Sequence, residues 1–258
     1  MMNNYKRLIP AMAAVVALTG CGAAAAASAG NGARQPALSA AAAVKDSTAG
    51  TTSTGGVPAG ALPFPVAVGD TWVYRADTAV GGGTTSTITN KIIAVVSTSQ
   101  GTRVTESYAN SIATRTHQDL TWVFHPNGTI TFPLTQNLGL QVVRSSGGII
   151  LPSAAQAASG KPYHSSLTLT FAEDGKQYTE VAHITMQGAG TQTVAVPAGT
   201  YQNATIIDGT FDMSLEGITI DLRLKFWIAN GTGEVKSEVA TGSATTATTL
   251  ELLSFTKG

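Results

Sequence analysis

The stretch Ile218-Thr219-Ile220-Asp221-Leu222-Arg223-Leu224-Lys225-Phe226-Trp227-Ile228 alternates apolar and polar residues, and its reading decides the fold. Successive side chains of a β-strand point to opposite faces, so Ile218, Ile220, Leu222, Leu224, Phe226 and Ile228 share one face. A helix would mix Asp221 and Arg223 into the apolar set, which excludes it. A strand with one buried and one wet face follows. Trp227 is the odd residue: it falls on the polar face beside Arg223 and Lys225. It either packs under a loop or marks an exposed contact patch.

The same period recurs outward from this segment. Leu120, Trp122 and Phe124 alternate with Thr121 and Val123, and Leu167, Leu169 and Phe171 with Thr168 and Thr170. Turn signals separate the runs: Asp174-Gly175 and Asn230-Gly231 suit two-residue type I′ hairpins. His125-Pro126-Asn127-Gly128 and Val196-Pro197-Ala198-Gly199 place Pro and Gly where tight turns need them. Only Pro152 to Ser159 reads as a short helix, with Ser153 as its cap. The expectation is an all-β, antiparallel curved sheet of about ten to twelve strands, either a half-barrel or a sandwich.

The N-terminus carries an address. Lys6 and Arg7 precede an uncharged segment, Leu8 to Leu18, that is too short for a membrane-spanning helix of about 20 residues. It ends in Leu18-Thr19-Gly20-Cys21, and Cys21 is the chain's single cysteine. The segment resembles the lipobox of bacterial lipoproteins, which implies cleavage after residue 20 and acylation of Cys21. An ordinary signal peptide cut within Ala23 to Ser28 is the alternative. Gly22, where an Asp would favour the inner membrane, leans the expected location toward the outer membrane.

Residues 21–61 then read as a tether. The stretch is rich in Ala, then in Gly, Thr and Ser, and its apolar area cannot offset the entropy of ordering it. As a coil it spans roughly 35 Å. Residues 62–258 are long enough for one domain with its own core. Without Lys6 and Arg7 the 15 basic residues become 13, against 15 acidic ones, so no electrostatic footprint for nucleic acid exists.

The search for chemistry is largely negative. The sequence contains no nucleophile elbow, zincin helix motif, P-loop or zinc-type Cys/His spacing. His117, His125, His164 and His183 lie on separate segments, and no pair has ligand spacing. Asp208, Asp212, Glu216 and Asp221 are the densest acidic set, a weak calcium site or, more simply, a solvated face. His117 and Asp119 form an acid/base pair without an evident nucleophile. Trp72, Tyr74, Trp122, Phe124, Phe132, Phe226 and Trp227 sit on strands, where they either line an apolar ligand cavity or fill a core.

Three passages together resemble a family of bacterial cell-envelope lipoprotein domains. They are Phe64-Pro65…Gly69-Asp70-Thr71-Trp72-x-Tyr74, Val194-x-Val196-Pro197-Ala198-Gly199-Thr200-Tyr201 and Trp227-Ile228-Ala229…Gly231-x-Gly233-x-Val235-Lys236. The resemblance implies a curved antiparallel sheet, distantly similar to the lipoprotein carriers LolA and LolB, and brings no catalytic residue. The expected protein is a lipid-anchored, non-enzymatic envelope protein, attached to the membrane through its anchor and binding an apolar ligand or an envelope component. It requires no cofactor and no metal. A structural or protein-interaction lipoprotein without a ligand cavity is a second reading, and a hydrolase with a spatially assembled site a third. An integral barrel would need a continuous apolar outer band, which Asp221, Arg223 and Lys225 interrupt.

Overall fold

The computed structural model describes residues 58–79, 83–112, 118–132, 141–173, 176–215, 218–242 and 246–258. Cys21, the signal segment, nearly all of the tether, His117, Glu216 and the Asp174-Gly175 turn lie outside the described residues. Thirteen strands form one sheet: β1 (Thr71–Thr78), β2 (Thr84–Thr98), β3 (Gly101–Asn110), β4 (Gln118–Phe124), β5 (Ile130–Phe132), β6 (Gln141–Gly147), β7 (Ile149–Leu151), β8 (Tyr163–Glu173), β9 (Lys176–Val196), β10 (Gly199–Leu215), β11 (Ile218–Ala229), β12 (Gly233–Thr241) and β13 (Thr246–Thr256). Among the described residues one short helix, α1 (Ala154–Ser159), lies between β7 and β8.

Strand order around the sheet is β6-β8-β9-β10-β11-β12-β13-β1-β2-β3-β4-β5-β7, with every neighbour antiparallel. The sheet is nearly closed as a barrel. This corrects the expected ten to twelve strands and the half-barrel. Two of the strands, β5 and β7, have three residues each, too few to show a period. Closure is set by pairing between distant segments, which no local pattern reports.

The seam falls between β6 and β7, which are successive in sequence but sit at opposite edges of the ladder. The chain crosses it at Gly147-Gly148. Gly147 has φ 83°, and a Cβ there would lie 2.4 Å from the Ser166 carbonyl oxygen of β8. A Cβ on Gly148 would lie 2.8 Å from the Phe132 carbonyl oxygen of β5. Two glycines thus let the backbone pass between both edges.

The alternation of β11 appears as expected: Ile220, Leu222, Leu224, Phe226 and Ile228 are all buried, and Asp221 and Arg223 are exposed. The interior is mainly apolar, with a few buried polar residues such as Asn90, Glu106, Glu234 and Ser237, and the outer strand faces are mainly polar, the inverse of a transmembrane barrel. Helix α1 is capped as read from the sequence: Gln156 N–H donates to Ser153 Oγ at 3.2 Å, and Ser153 N–H to Gln156 Oε1 at 2.8 Å. It packs on β9 at Gly188, where a Cβ would meet the Ala157 backbone.

The Asn230-Gly231 turn departs from expectation. Ala229 pairs with Gly233, leaving three residues between the strands, and Asn230 is not among the residues with positive φ. A type I′ turn needs both central residues there. Gly231 and Gly233 take φ 72° and 82° instead, beside a bulge at Trp227/Ile228. At the other turn Gly128 takes φ 83° and donates to the His125 carbonyl at 2.9 Å.

Candidate functional site

Three of the sequence-selected aromatics, Trp122, Phe124 and Phe132, gather together with Phe64. Trp122 stacks on Phe124 with centroids 6.0 Å apart and lies 5.4 Å from Phe132. Phe64, from the segment before β1, meets Trp122 and Phe124 edge-on at 5.9 and 6.5 Å. Trp72 and Tyr74 project inward from β1 and reach past β13 to the start of β12. Trp72 Nε1 donates to the Thr232 carbonyl at 2.6 Å, and Tyr74 Oη to the Glu234 carbonyl at 3.0 Å. Phe226 is buried on the inward face of β11. These rings are within van der Waals reach of other core side chains, so they pack against protein.

Trp227 occupies the opposite face of β11 from Phe226, yet it is buried. Its register partners are Ile206 on β10 and Lys236 on β12. The Lys225 and Lys236 ammonium groups lie 5.3 and 5.2 Å from its ring centroid, and its Nε1 donates to Gln192 Oε1 at 3.3 Å. Trp227 is therefore no exposed patch, and its cover comes from residues of strands β9, β11 and β12 rather than from a loop. The two ammonium groups lie over the ring, and Lys236 also pairs with Glu238 and Glu251.

Among the described residues His125 stands apart from His164 and His183, which lie on the paired strands β8 and β9. His125 bonds to the Gln100 carbonyl and the Thr131 hydroxyl, at 3.2 and 2.7 Å. His164 bonds to the Thr185 hydroxyl at 3.1 Å, and His183 is exposed on β9. Asp208 is half-exposed and faces Lys225 at 3.7 Å, while Asp212 and Asp221 oppose each other on the wet face. Among the described residues no three of His, Cys, Asp and Glu come together. A shallow outer groove of about 400 Å³ crosses β9 to β12, with Asp208, Thr210, Arg223, Lys225 and Glu238 in its walls.

What the sequence reading missed is inside. Glu106 on β3 and Glu234 on β12 are 0% and 1% exposed, and none of their four carboxyl oxygens has a hydrogen-bond partner. Desolvation, then the charge of Glu234, pushes the Glu106 carboxyl well above its usual range, against a smaller opposing effect of the Trp122 indole. Burial raises Glu234 to about 8, with the Ser237 hydroxyl acting the other way. An apolar surround disfavours the charged form, so both acids are neutral near pH 7 in the protein alone. One signal was legible: period two puts Glu106 on the face of Thr102, Val104 and Tyr108, all buried. For Glu234 the bulge in the β11–β12 ladder hides it, since both Glu234 and the adjacent Val235 are buried.

No protein-family model matches the chain, and no curated protein matches it. Its fold, a nearly closed antiparallel barrel, is shared with solved structures of exported bacterial proteins. One is a protein assigned as a lipoprotein from Parabacteroides distasonis, 15% identical, covering 76% of this chain and 99% of its own, with a TM-score of 0.58. Another is a protein assigned as exported, with a YmcC-like fold, from Bacteroides fragilis. It is 18% identical and covers 76% of this chain and 100% of its own, with a TM-score of 0.56. The likeness is one of fold.

Proposed function

We propose that this chain is a lipid-anchored, non-enzymatic cell-envelope protein, held to the outer membrane through Cys21, whose barrel binds an envelope component at its outer surface. The observation that carries the choice of the outer surface is the packing of Phe64, Trp122, Phe124 and Phe132 against one another. Aromatics committed to mutual contact fill space that an apolar ligand would need. Support for the anchor comes from the Leu18–Cys21 segment and the lone cysteine. The fold shared with a protein assigned as a lipoprotein agrees with it. The non-enzymatic reading draws on His125 and His164, whose ring bonds run to hydroxyl and carbonyl groups, whereas a triad needs an acid behind the histidine. His183, opposite Asp212 in the β9–β10 ladder, is exposed on the outer face.

The test has two parts. Radiolabelled palmitate fed to the expressing cells labels the wild-type chain, and Cys21→Ala removes both the label and the protein from the membrane fraction. A Cys21→Ala chain that stays in the outer-membrane fraction overturns the anchor. Native mass spectrometry of the Cys21→Ala chain then shows no bound organic compound. A reproducible added mass of an apolar compound, lost on denaturation, would replace the surface-binding reading with that of a lipid or apolar-ligand carrier.

A further inference from the structure

The barrel interior holds an arrangement of oxygens that surface binding does not use. Glu106 and Glu234 come from β3 and β12, strands separated in the ladder by β2, β1 and β13. Gly233, beside Glu234, lies against the Phe64 ring, which meets Trp122 of β4 edge-on. The two strands thus approach across the interior, and the charge of Glu234 acts on Glu106. All four carboxyl oxygens are buried and unpartnered. The Ser237 hydroxyl, fully buried on β12, makes no hydrogen bond of ordinary geometry but lies close enough to the Glu234 carboxyl to favour its charged form. Asn90 adds another buried, unpartnered oxygen, Oδ1, two residues along β2 from Ile92, which faces Glu106 in the ladder. Orphaned buried oxygens are rare, and so many in one interior call for a positive counterpart.

We propose that Glu106, Glu234 and Ser237 form an interior binding site for one divalent cation of the calcium class. The donor set is oxygen only, which selects hard cations over zinc or copper. Two carboxylates supply two negative charges, matched by a single divalent ion. Their four oxygens with Ser237 Oγ give five donors, and Asn90, two residues along β2 from the ladder partner of Glu106, carries a further buried oxygen. Calcium accepts about 6–8 oxygens in irregular geometry. Magnesium demands near-octahedral ligation and keeps several waters, and these oxygens have no solvent contact. The ion ties β3 to β12 across the core, so it acts as an internal staple that loads as the barrel closes.

The experiment compares the full-length chain, purified in detergent with calcium chloride throughout, with chain unfolded and refolded in EDTA. Metal analysis of the calcium sample gives one calcium per chain. Calcium at about ten times its Kd raises the thermal midpoint by about 3–6 °C over the EDTA sample, and magnesium at the same concentration leaves it unchanged. Glu106→Gln and Glu234→Gln both abolish the calcium-induced rise. If the wild-type chain carries no calcium and its midpoint is the same in calcium and in EDTA, the site is refuted and the acids are simply held neutral by protons. A response to calcium that persists in both Gln variants also refutes it. Should a Gln variant fail to fold, the calcium content and the midpoint shift of the wild-type chain decide alone.

Discussion

The ring of Phe64 meets the indole of Trp122 edge-on, with centroids 5.9 Å apart and planes at 82°. Phe64 precedes the first strand, while Trp122 is an inward residue of β4. The segment before β1 therefore packs into the barrel before the chain begins to build it. Leu62, 1% exposed, goes in with Phe64, and Gly60 accepts from the Ala154 N–H at 2.8 Å at the start of α1. The segment before the first strand is thus part of the core.

Phe64→Ala empties part of this aromatic cluster. A buried phenylalanine replaced by alanine loses about 3–5 kcal/mol, here including two edge-on ring contacts. The urea midpoint should fall accordingly with little change in the m-value. A loss below about 1 kcal/mol, the level of a typical surface change, would show that the segment merely rests on the barrel.

Gly147→Ala tests the seam. Its Cβ would meet the Ser166 carbonyl oxygen at 2.4 Å, in a backbone with φ 83°. Strain and clash together should cost about 2–3 kcal/mol. Gly231→Ala is the control: φ is 72° but no atom lies within 4 Å, so only the left-handed backbone is penalised, by about 1 kcal/mol. Equal losses in the two variants would mean that the edges separate freely at the seam.

Trp72→Phe keeps a ring on β1 and deletes the indole N–H that bonds to the Thr232 carbonyl at 2.6 Å. A carbonyl stripped of its buried partner costs about 1–3 kcal/mol. Chemical denaturation of the variant should show that loss. Trp72 also stacks on Phe255 at 5.1 Å, so a near-zero change would mean that the stacking alone fixes β1 to β13.

The pH dependence of stability in EDTA follows from the buried acids. Glu234 titrates at about 8 in the folded chain and near the ordinary value of about 4.3 when unfolded. Between these limits the folded state holds more protons than the unfolded one, so stability decreases as pH rises. The contribution is complete below the unfolded value and lost as pH passes the folded one. Glu106, shifted in the same direction, adds to the slope, each group by at most about 1.4 kcal/mol per pH unit. Thermal midpoints measured from pH 5 to pH 8 should decline, and Glu234→Gln should flatten the curve. A wild-type chain whose stability rises over this range contradicts neutral burial of the pair.

How much was legible differs by element. The inward face of β11 was readable because strand alternation is local: each of Ile220, Leu222, Leu224 and Phe226 is placed by its neighbours in sequence. The Ser153 cap of α1 was readable for the same reason, since Ser153 and Gln156 are three residues apart. The Asn230-Gly231 hairpin was misread because the bulge at Trp227/Ile228 shifts the register, and a bulge is a property of the pair of strands. Trp227 stayed ambiguous because its cover includes Gln192, 35 residues away.

The sequence by itself determined an all-β antiparallel domain, the face on which most core residues lie, and the composition of the segment before it. Period-two patterning and turn chemistry act over a few residues, and those residues are all present in the string. Tertiary structure alone decided that the sheet nearly closes, that Gly147-Gly148 carries the chain across the seam, and that Glu106 confronts Glu234. Each of these depends on which strand lies opposite which. Ladder pairing and burial are energies of association between distant segments, so the environment of a side chain exists only once the barrel has formed.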